Sequence, residues 1–352
     1  MLRSLFSILL ILTLPLFYLS CSSDDGDNGI DPPPPAPTRV EVEAHQNPGL
    51  GSVNSAIWDS LEAAQITIGT DIDYIANDLT SEKTVQMKAL VADDTLLYIW
   101  AKWSDNDQDN RFGEIHGSWI NNQVQWVINN EDTVFRNEDR FYIMFDNGGT
   151  GGADCAQFCH AASSAAGRKM YSAGANADIW QWKAHRTGLV GLADDMHMTT
   201  TMISGDPQDQ IGDSLYFRNF KEWPGNQPRY MAPGGPGDTT TGLLEGEWVD
   251  FVNSNDWMIF YVDQPPTALP VPGYVLYNLT GADGSRWDVE TVSDYDGSAW
   301  TVVFCRRFDT GDAGDIEFDF TTLDSVMISI GITNNSGIKH HGRQPFPLVF
   351  MP

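Results

Sequence analysis

Positive charge is scarce in this 352-residue chain: 20 lysines and arginines face 48 aspartates and glutamates, for a formal net charge of −28. So acidic a surface repels nucleic acid and anionic lipid headgroups, which excludes a phosphate-backbone reader. Cysteine is scarce as well, at four residues, too few for a disulfide framework. No apolar run reaches the about 20 residues of a membrane-spanning helix. Long amphipathic helical patterns, glycine-rich phosphate loops and a Gly-x-Ser-x-Gly turn are all missing. Nucleotide binding and serine hydrolysis therefore have no support.

Apolar residues are plentiful. A hydrophobic fraction of 41%, with 12 tryptophans, argues for a sizeable core and against disorder. The first 20 residues read as an export signal: Arg3, an apolar stretch from Leu5 to Leu19, then small residues before a cysteine. Tyr18-Leu19-Ser20-Cys21 is similar to a bacterial lipobox with tyrosine in place of leucine, which makes Cys21 the expected lipidation site; ordinary signal cleavage nearby is the alternative. Ser22 in the next position favours the outer membrane, so a periplasm-facing or surface-exposed bacterial lipoprotein is expected. Residues 21–38 form a linker ending in Pro32-Pro33-Pro34-Pro35, too polar and stiff to bury a core. The folded domain is expected over 39–352.

Within that domain the signals are of strands. Val85–Val91 and Leu96–Trp103 flank Ala92-Asp93-Asp94-Thr95 and read as a hairpin. Arg140–Asp146, stopped by Asn147-Gly148-Gly149, is another strand, as are Trp257–Val262, Trp300–Phe304 and Val326–Ile332. Short strands at intervals, separated by Gly/Pro/Asp loops, predict an all-β protein. The expected form is an antiparallel β-sandwich with long loops and a few short helices. Ser204 to Gly246 reads as a long insertion over one end. Cys305, inside the apolar run from Thr301, is expected to be a buried free thiol.

The most informative stretch is Cys155-Ala-Gln-Phe-Cys159-His160. A c-type haem site has two cysteines separated by two residues and followed at once by histidine; here the gap is three. Residues four apart on a helical turn still share a face, so both thiols can reach the vinyl groups of one porphyrin while His160 turns under the iron. A disulfide suits an i, i+4 helical pair poorly. Zinc held by Cys155, Cys159 and His160 lacks a second Cys/His pair of matching spacing, though an open zinc centre remains a rival. Asp105-Asn106-Asp107-Gln108-Asp109 has carboxylates at alternate positions, like the start of a calcium loop. It carries Asn110 and His116 where such a loop needs glycine and glutamate, so a solvated acidic turn is favoured over calcium.

Three segments carry a family likeness: the Val85–Trp103 hairpin; Asp178-Ile179-Trp180-Gln181-Trp182-Lys183-Ala184-His185-Arg186-Thr187, followed by Gly191-Leu192-Ala193-Asp194-Asp195; and Trp300–Arg307, running on to Ile330–Asn335. Together they resemble the haem-binding domain of the ethylbenzene dehydrogenase γ-subunit type, also found with dimethylsulfide dehydrogenase. The resemblance implies a β-sandwich with one haem near its end, passing electrons for a larger redox enzyme. It also places Trp180, Trp182 and Lys183 near the cofactor. The dehydrogenase members bind haem b without covalent links, through methionine and lysine; this chain departs from them in its Cys/Cys/His motif and looks like a c-type branch. His160 is then the proximal iron ligand, and the resemblance leaves the sixth position to Met170 or to His341, with Lys339 and His340 as neighbours. The expected function is that of a monohaem c-type cytochrome, an electron carrier more than an enzyme, with a redox partner that docks through a basic surface. The rivals are a zinc metalloenzyme and a carbohydrate-binding sandwich with Trp119, Trp126, Trp180 and Trp182 as its stacking platform.

Overall fold

A computed structural model describes residues 39–45, 52–69, 82–93, 95–106, 115–120, 123–128, 138–148, 176–188, 191–198, 216–218, 248–249, 274–277, 285–319, 322–334 and 341–351. All-β is the outcome. The elements are β1 (Val40–His45), α1 (Ala56–Ser60), β2 (Ala64–Ile68), β3 (Lys83–Ala92), β4 (Leu96–Ser104), β5 (Ile115–Ile120), β6 (Gln123–Ile128), β7 (Arg140–Asp146), β8 (Ala177–Lys183), β9 (Asp194–Met198), β10 (Tyr216–Arg218), β11 (Trp248–Val249) and β12 (Tyr274–Tyr277). A 3-10 turn at Ser285–Trp287 precedes β13 (Glu290–Tyr295), β14 (Ala299–Arg307), β15 (Ser325–Thr333), β16 (His341–Gly342) and β17 (Phe346–Phe350).

Alternation explains the strands. In β3, Val85, Met87 and Ala89 enter the main apolar cluster while Thr84 and Gln86 stay exposed, a period of two. Asp93 supplies the positive backbone angle, φ 54°, that turns β3 into β4, and the Thr95 amide donates to the Ala92 carbonyl at 3.2 Å. The expected hairpin, the β7 strand, and the strands around Trp300 and Ile330 are all present. Trp257–Val262 lies outside the described residues, as does most of Ser204–Gly246. Among the described residues no helix is long and apolar enough to cross a membrane.

The main sheet runs β13-β14-β4-β3-β1-β17-β15-β7-β8-β9, with β2 and β16 added on β3 and β15. Most ladders are antiparallel, but β1 pairs in parallel with both β17 and β3. Parallel neighbours need a crossover rather than a hairpin, and residues 46–82 provide one between β1 and β3.

This sheet curls until its halves face one another. Trp300 on β14 and Trp182 on β8 stand near opposite ends of the strand order, yet their ring centroids are 4.9 Å apart. Phe141 on β7 stacks on Trp103 of β4 at 5.0 Å, and Phe145 meets Trp180 at 4.6 Å. The two rims of the curl meet along one seam. There the Thr291 amide donates to the Gly191 carbonyl at 2.7 Å and the Ala193 amide to the Val289 carbonyl at 2.9 Å. Among the described residues, this seam covers part of the edges that β9 and β13 would otherwise present.

A second, smaller cluster covers the outside of β3, β4 and β14 beneath α1, with Trp58, Leu61, Leu90, Trp100, Val303 and Cys305. The Trp100 indole donates to the Val53 carbonyl at 3.0 Å. Cys305 is the expected buried free thiol. Burial pushes it up to about 11, which leaves it protonated and unreactive at neutral pH.

Candidate functional site

β7 and β8 are antiparallel neighbours, with Asp146 opposite Ala177. Just beyond that pair, the Asn147 amide donates to the Asn176 carbonyl at 3.1 Å, and the Asn147 side chain donates to the Gly314 carbonyl at 2.8 Å. The segment between these strands therefore has both roots tied at one end of the curled sheet. Cys155, Cys159, His160 and Met170 belong to that segment and lie outside the described residues, as does Cys21.

β8 is buried along its whole length, on both faces. Its inner side chains, Trp180 and Trp182, are 0% exposed within the main cluster. They cannot stack on a sugar, so the platform expected for a carbohydrate module loses half its tryptophans to the core. Just inside the same end stands Arg306, whose Nη1 donates to Asp178 at 2.6 Å and to Asp195 at 3.1 Å, with Asp315 at 3.7 Å. The guanidinium also lies over the Trp180 ring, 4.9 Å from its centroid. Burial opposes the charge on Arg306, but Asp178, Asp195 and Asp315 outweigh it and hold the group firmly protonated. The three carboxylates lie within metal-ligating distance of one another, with the Arg306 guanidinium seated among them as their cation.

The outer face of β8 is closed as well, though it belongs to neither apolar cluster. Met144 on β7, Ile179 on β8 and Met196 on β9 form one row across the three strands. None is more than 1% exposed. Tyr142 and Gln181 form the next row, and on β15 the flanking positions are Ser329 and Gly331.

Lys183 sits at the far end of this face in an ion pair with Asp194, which also accepts from Arg286 Nε at 2.6 Å. Burial alone raises Asp194, but Lys183 and Arg286 outweigh it and hold the carboxyl well below its usual range. Glu138, beside the same end, accepts from the amides of His185 and Arg186 at 3.1 and 3.0 Å and from Arg186 Nε at 2.6 Å. It is likewise lowered against its burial by Arg186 and Arg140.

His341 is buried opposite Ile332 on β15. Cross-strand partners share a face, and Ile332 belongs to the inner cluster, so His341 is on the inner side. Ile332 pairs with Phe141, five residues along β7 from the root at Asp146, or about 17 Å. Trp182 shares that row, opposite Phe141, and Lys183 is one residue further on, opposite Arg140, so of these residues only Trp180, opposite Ile143, stands nearer the root. Asp105 is buried, its Oδ1 accepting from Asn334 at 3.0 Å and its amide donating to the Ser298 carbonyl at 2.9 Å; Asp107 and Asp109 lie outside the described residues.

Sequence reasoning missed the Arg306 cluster and the Met144 row. The signal for the first was an arginine continuing an apolar strand, since an interior cation demands interior anions. The second carried no such signal, since the same face of β8 holds Gln181 and Lys183.

No curated protein sequence matches the chain. Residues 55–344 match the ethylbenzene dehydrogenase family. That family is associated with haem binding and with redox subunits of dehydrogenase-type complexes. The match spans most of the chain and the whole of β7, β8 and the segment they anchor, so this protein belongs to the ethylbenzene dehydrogenase family.

Proposed function

We propose that the protein is an exported monohaem c-type cytochrome that carries electrons between partner proteins. The observation that supports the reading is that the chain between β7 and β8, whose sequence holds Cys155, Cys159 and His160, has its two roots tied side by side at the end of those strands. Covalent attachment needs two thiols and a ligating imidazole on one short stretch. A segment anchored at both ends can present all three together.

The roles divide simply. Cys155 and Cys159 would hold the haem through thioether links and His160 would ligate its iron, with Met170 or His341 as candidates for a second ligand. The haem supplies the one-electron chemistry; the chain excludes water, orients the ligands and sets the potential. On this reading the haem would exchange electrons with a partner protein and would not turn over a substrate. The excess of 48 acidic over 20 basic residues favours a basic redox partner and makes its docking salt-sensitive. Cys21 and the proline-rich spacer would tether the carrier to the outer membrane.

Expression with a cytochrome c maturation system tests the central claim. The purified protein should be red and keep its haem through denaturing electrophoresis, and Cys155→Ala with Cys159→Ala should abolish that retention. A colourless protein containing zinc would sink the reading in favour of a metalloenzyme.

A further inference from the structure

We propose that the ring chain Trp103–Trp182–Trp300–Tyr295 is a hole-transfer route that carries one-electron oxidation out of the tryptophan core to Tyr295 at the surface. The inference goes beyond the cytochrome reading and does not depend on it. Tryptophan is readily oxidised, and a radical held in a closed core attacks its neighbours. A protein that meets one-electron oxidants therefore gains from moving the missing electron to a residue that a small reductant can reach.

Contact is the first requirement. Electron exchange between rings falls steeply with separation, so each ring of such a route must touch the next. The centroids of Trp103 and Trp182 are 6.0 Å apart, those of Trp182 and Trp300 4.9 Å, and those of Trp300 and Tyr295 5.2 Å. Trp103, Trp182 and Trp300 are at most 4% exposed, whereas Tyr295 is only partly buried against the same cluster. Tyr295 on β13 is the cross-strand partner of Trp300 on β14, and such partners share a face. The route thus runs from inside to outside.

A place for the proton is the second requirement, because an oxidised indole is a strong acid at its N–H. The Trp300 indole donates to Asp139 Oδ2 at 2.8 Å, and Asp139 is 0% exposed. Among the described residues neither Trp103 nor Trp182 has a partner for its indole N–H, so a hole on those rings keeps its proton and moves on. At Trp300 the electron leaves and the proton crosses to Asp139. Tyr295 then gives one electron to Trp300, which takes its proton back from Asp139, while the phenolic proton passes to solvent. In sum Tyr295 loses one electron and one proton, and a thiol or enediol reductant restores both. Tyrosine is the easier ring to oxidise once its proton can leave, so the last step runs downhill. The Tyr295 hydroxyl donates to the Asp105 carbonyl at 3.2 Å, which fixes the ring in place.

Flash photo-oxidation of the full chain, with a cobalt(III) ammine complex taking up the ejected electron, reads the route directly. Wild type should show tryptophanyl absorption decaying as tyrosyl absorption grows, and a nitroso spin trap should tag Tyr295 in the mass spectrum. Tyr295→Phe, which keeps the ring and loses only the hydroxyl, should lose that growth and lengthen the tryptophanyl lifetime several-fold. Asp139→Asn should leave the Trp300 radical protonated, with the absorption of the cation in place of the neutral radical. Trp300→Phe should remove the tag from Tyr295 by breaking the chain one ring short of it. If wild type shows no tyrosyl growth, or Tyr295→Phe leaves that growth unchanged, the proposal falls. It falls equally if Trp300→Phe leaves Tyr295 tagged as in wild type. None of these readings comes from haem, so their failure leaves the cytochrome reading as it stands.

Discussion

Arg306 shows how much one buried side chain governs. It is fully enclosed, with Asp178 and Asp195 as hydrogen-bonded partners and Ile316 accepting from its other nitrogen at 2.8 Å. Removing one partner of such a group strands the others, at about 3–5 kcal/mol. Arg306→Met should therefore destabilise the protein by that order at neutral pH. The pH trend identifies the cause. Without the guanidinium, the folded-state pKa values of Asp178, Asp195 and Asp315 rise above their unfolded values, so the loss should shrink as pH falls and the carboxylates take up protons. Wild type should move the other way. Asp194 and Glu138 are depressed by their cations. Their contribution is present above their ordinary unfolded values of about 4 and is lost as pH falls further, towards their folded ones. Denaturant melts between roughly pH 3 and 8 should show the two proteins converging in acid; parallel curves would refute the assignment.

At the scale of elements, β8 explains itself once its neighbours are known. Trp180 and Trp182 fill the curl, Ile179 and Gln181 meet the outer face, and Lys183 ends the strand in an ion pair. The seam opposite is built on Gly191, whose φ of +75° only glycine adopts without strain. A Cβ there would also stand 3.2 Å from the Thr291 carbonyl. Gly191→Ala should cost about 1–2 kcal/mol from the left-handed backbone alone. The urea midpoint should drop, and amide exchange should speed up at Ala193 and Thr291, the donors of the seam. Unchanged protection at both amides would mean that the seam does not hold the rims together.

For the whole molecule, the claim concerns location. Cys21 and the proline-rich spacer predict a tether, and Cys21→Ser should move the protein from the membrane fraction to the soluble periplasm. Mass spectrometry of the wild-type N-terminus should find an acylated cysteine there. A wild-type protein already soluble and unacylated would end that reading without touching the fold. Residues Thr38–Pro352 form a compact unit of their own.

Period-two patterns were legible from the sequence because a strand's burial is local. The β3–β4 hairpin, β7, β14 and β15 all follow from alternating or continuous apolar runs ended by turn residues. The all-β class and the family likeness were legible for the same reason. So was the buried thiol of Cys305, which shares its strand with Val303. The Cys155/Cys159/His160 cluster was legible as chemistry, since thiol, thiol and imidazole stand within six residues. What joins residues distant in the chain was not. The parallel pairing of β1, the seam between Gly191 and Thr291, and the capture of Arg306 by Asp178, 128 residues away, depend on which faces meet after the sheet curls. The same holds for the row of Met144, Ile179 and Met196, which forms only when β7, β8 and β9 pair.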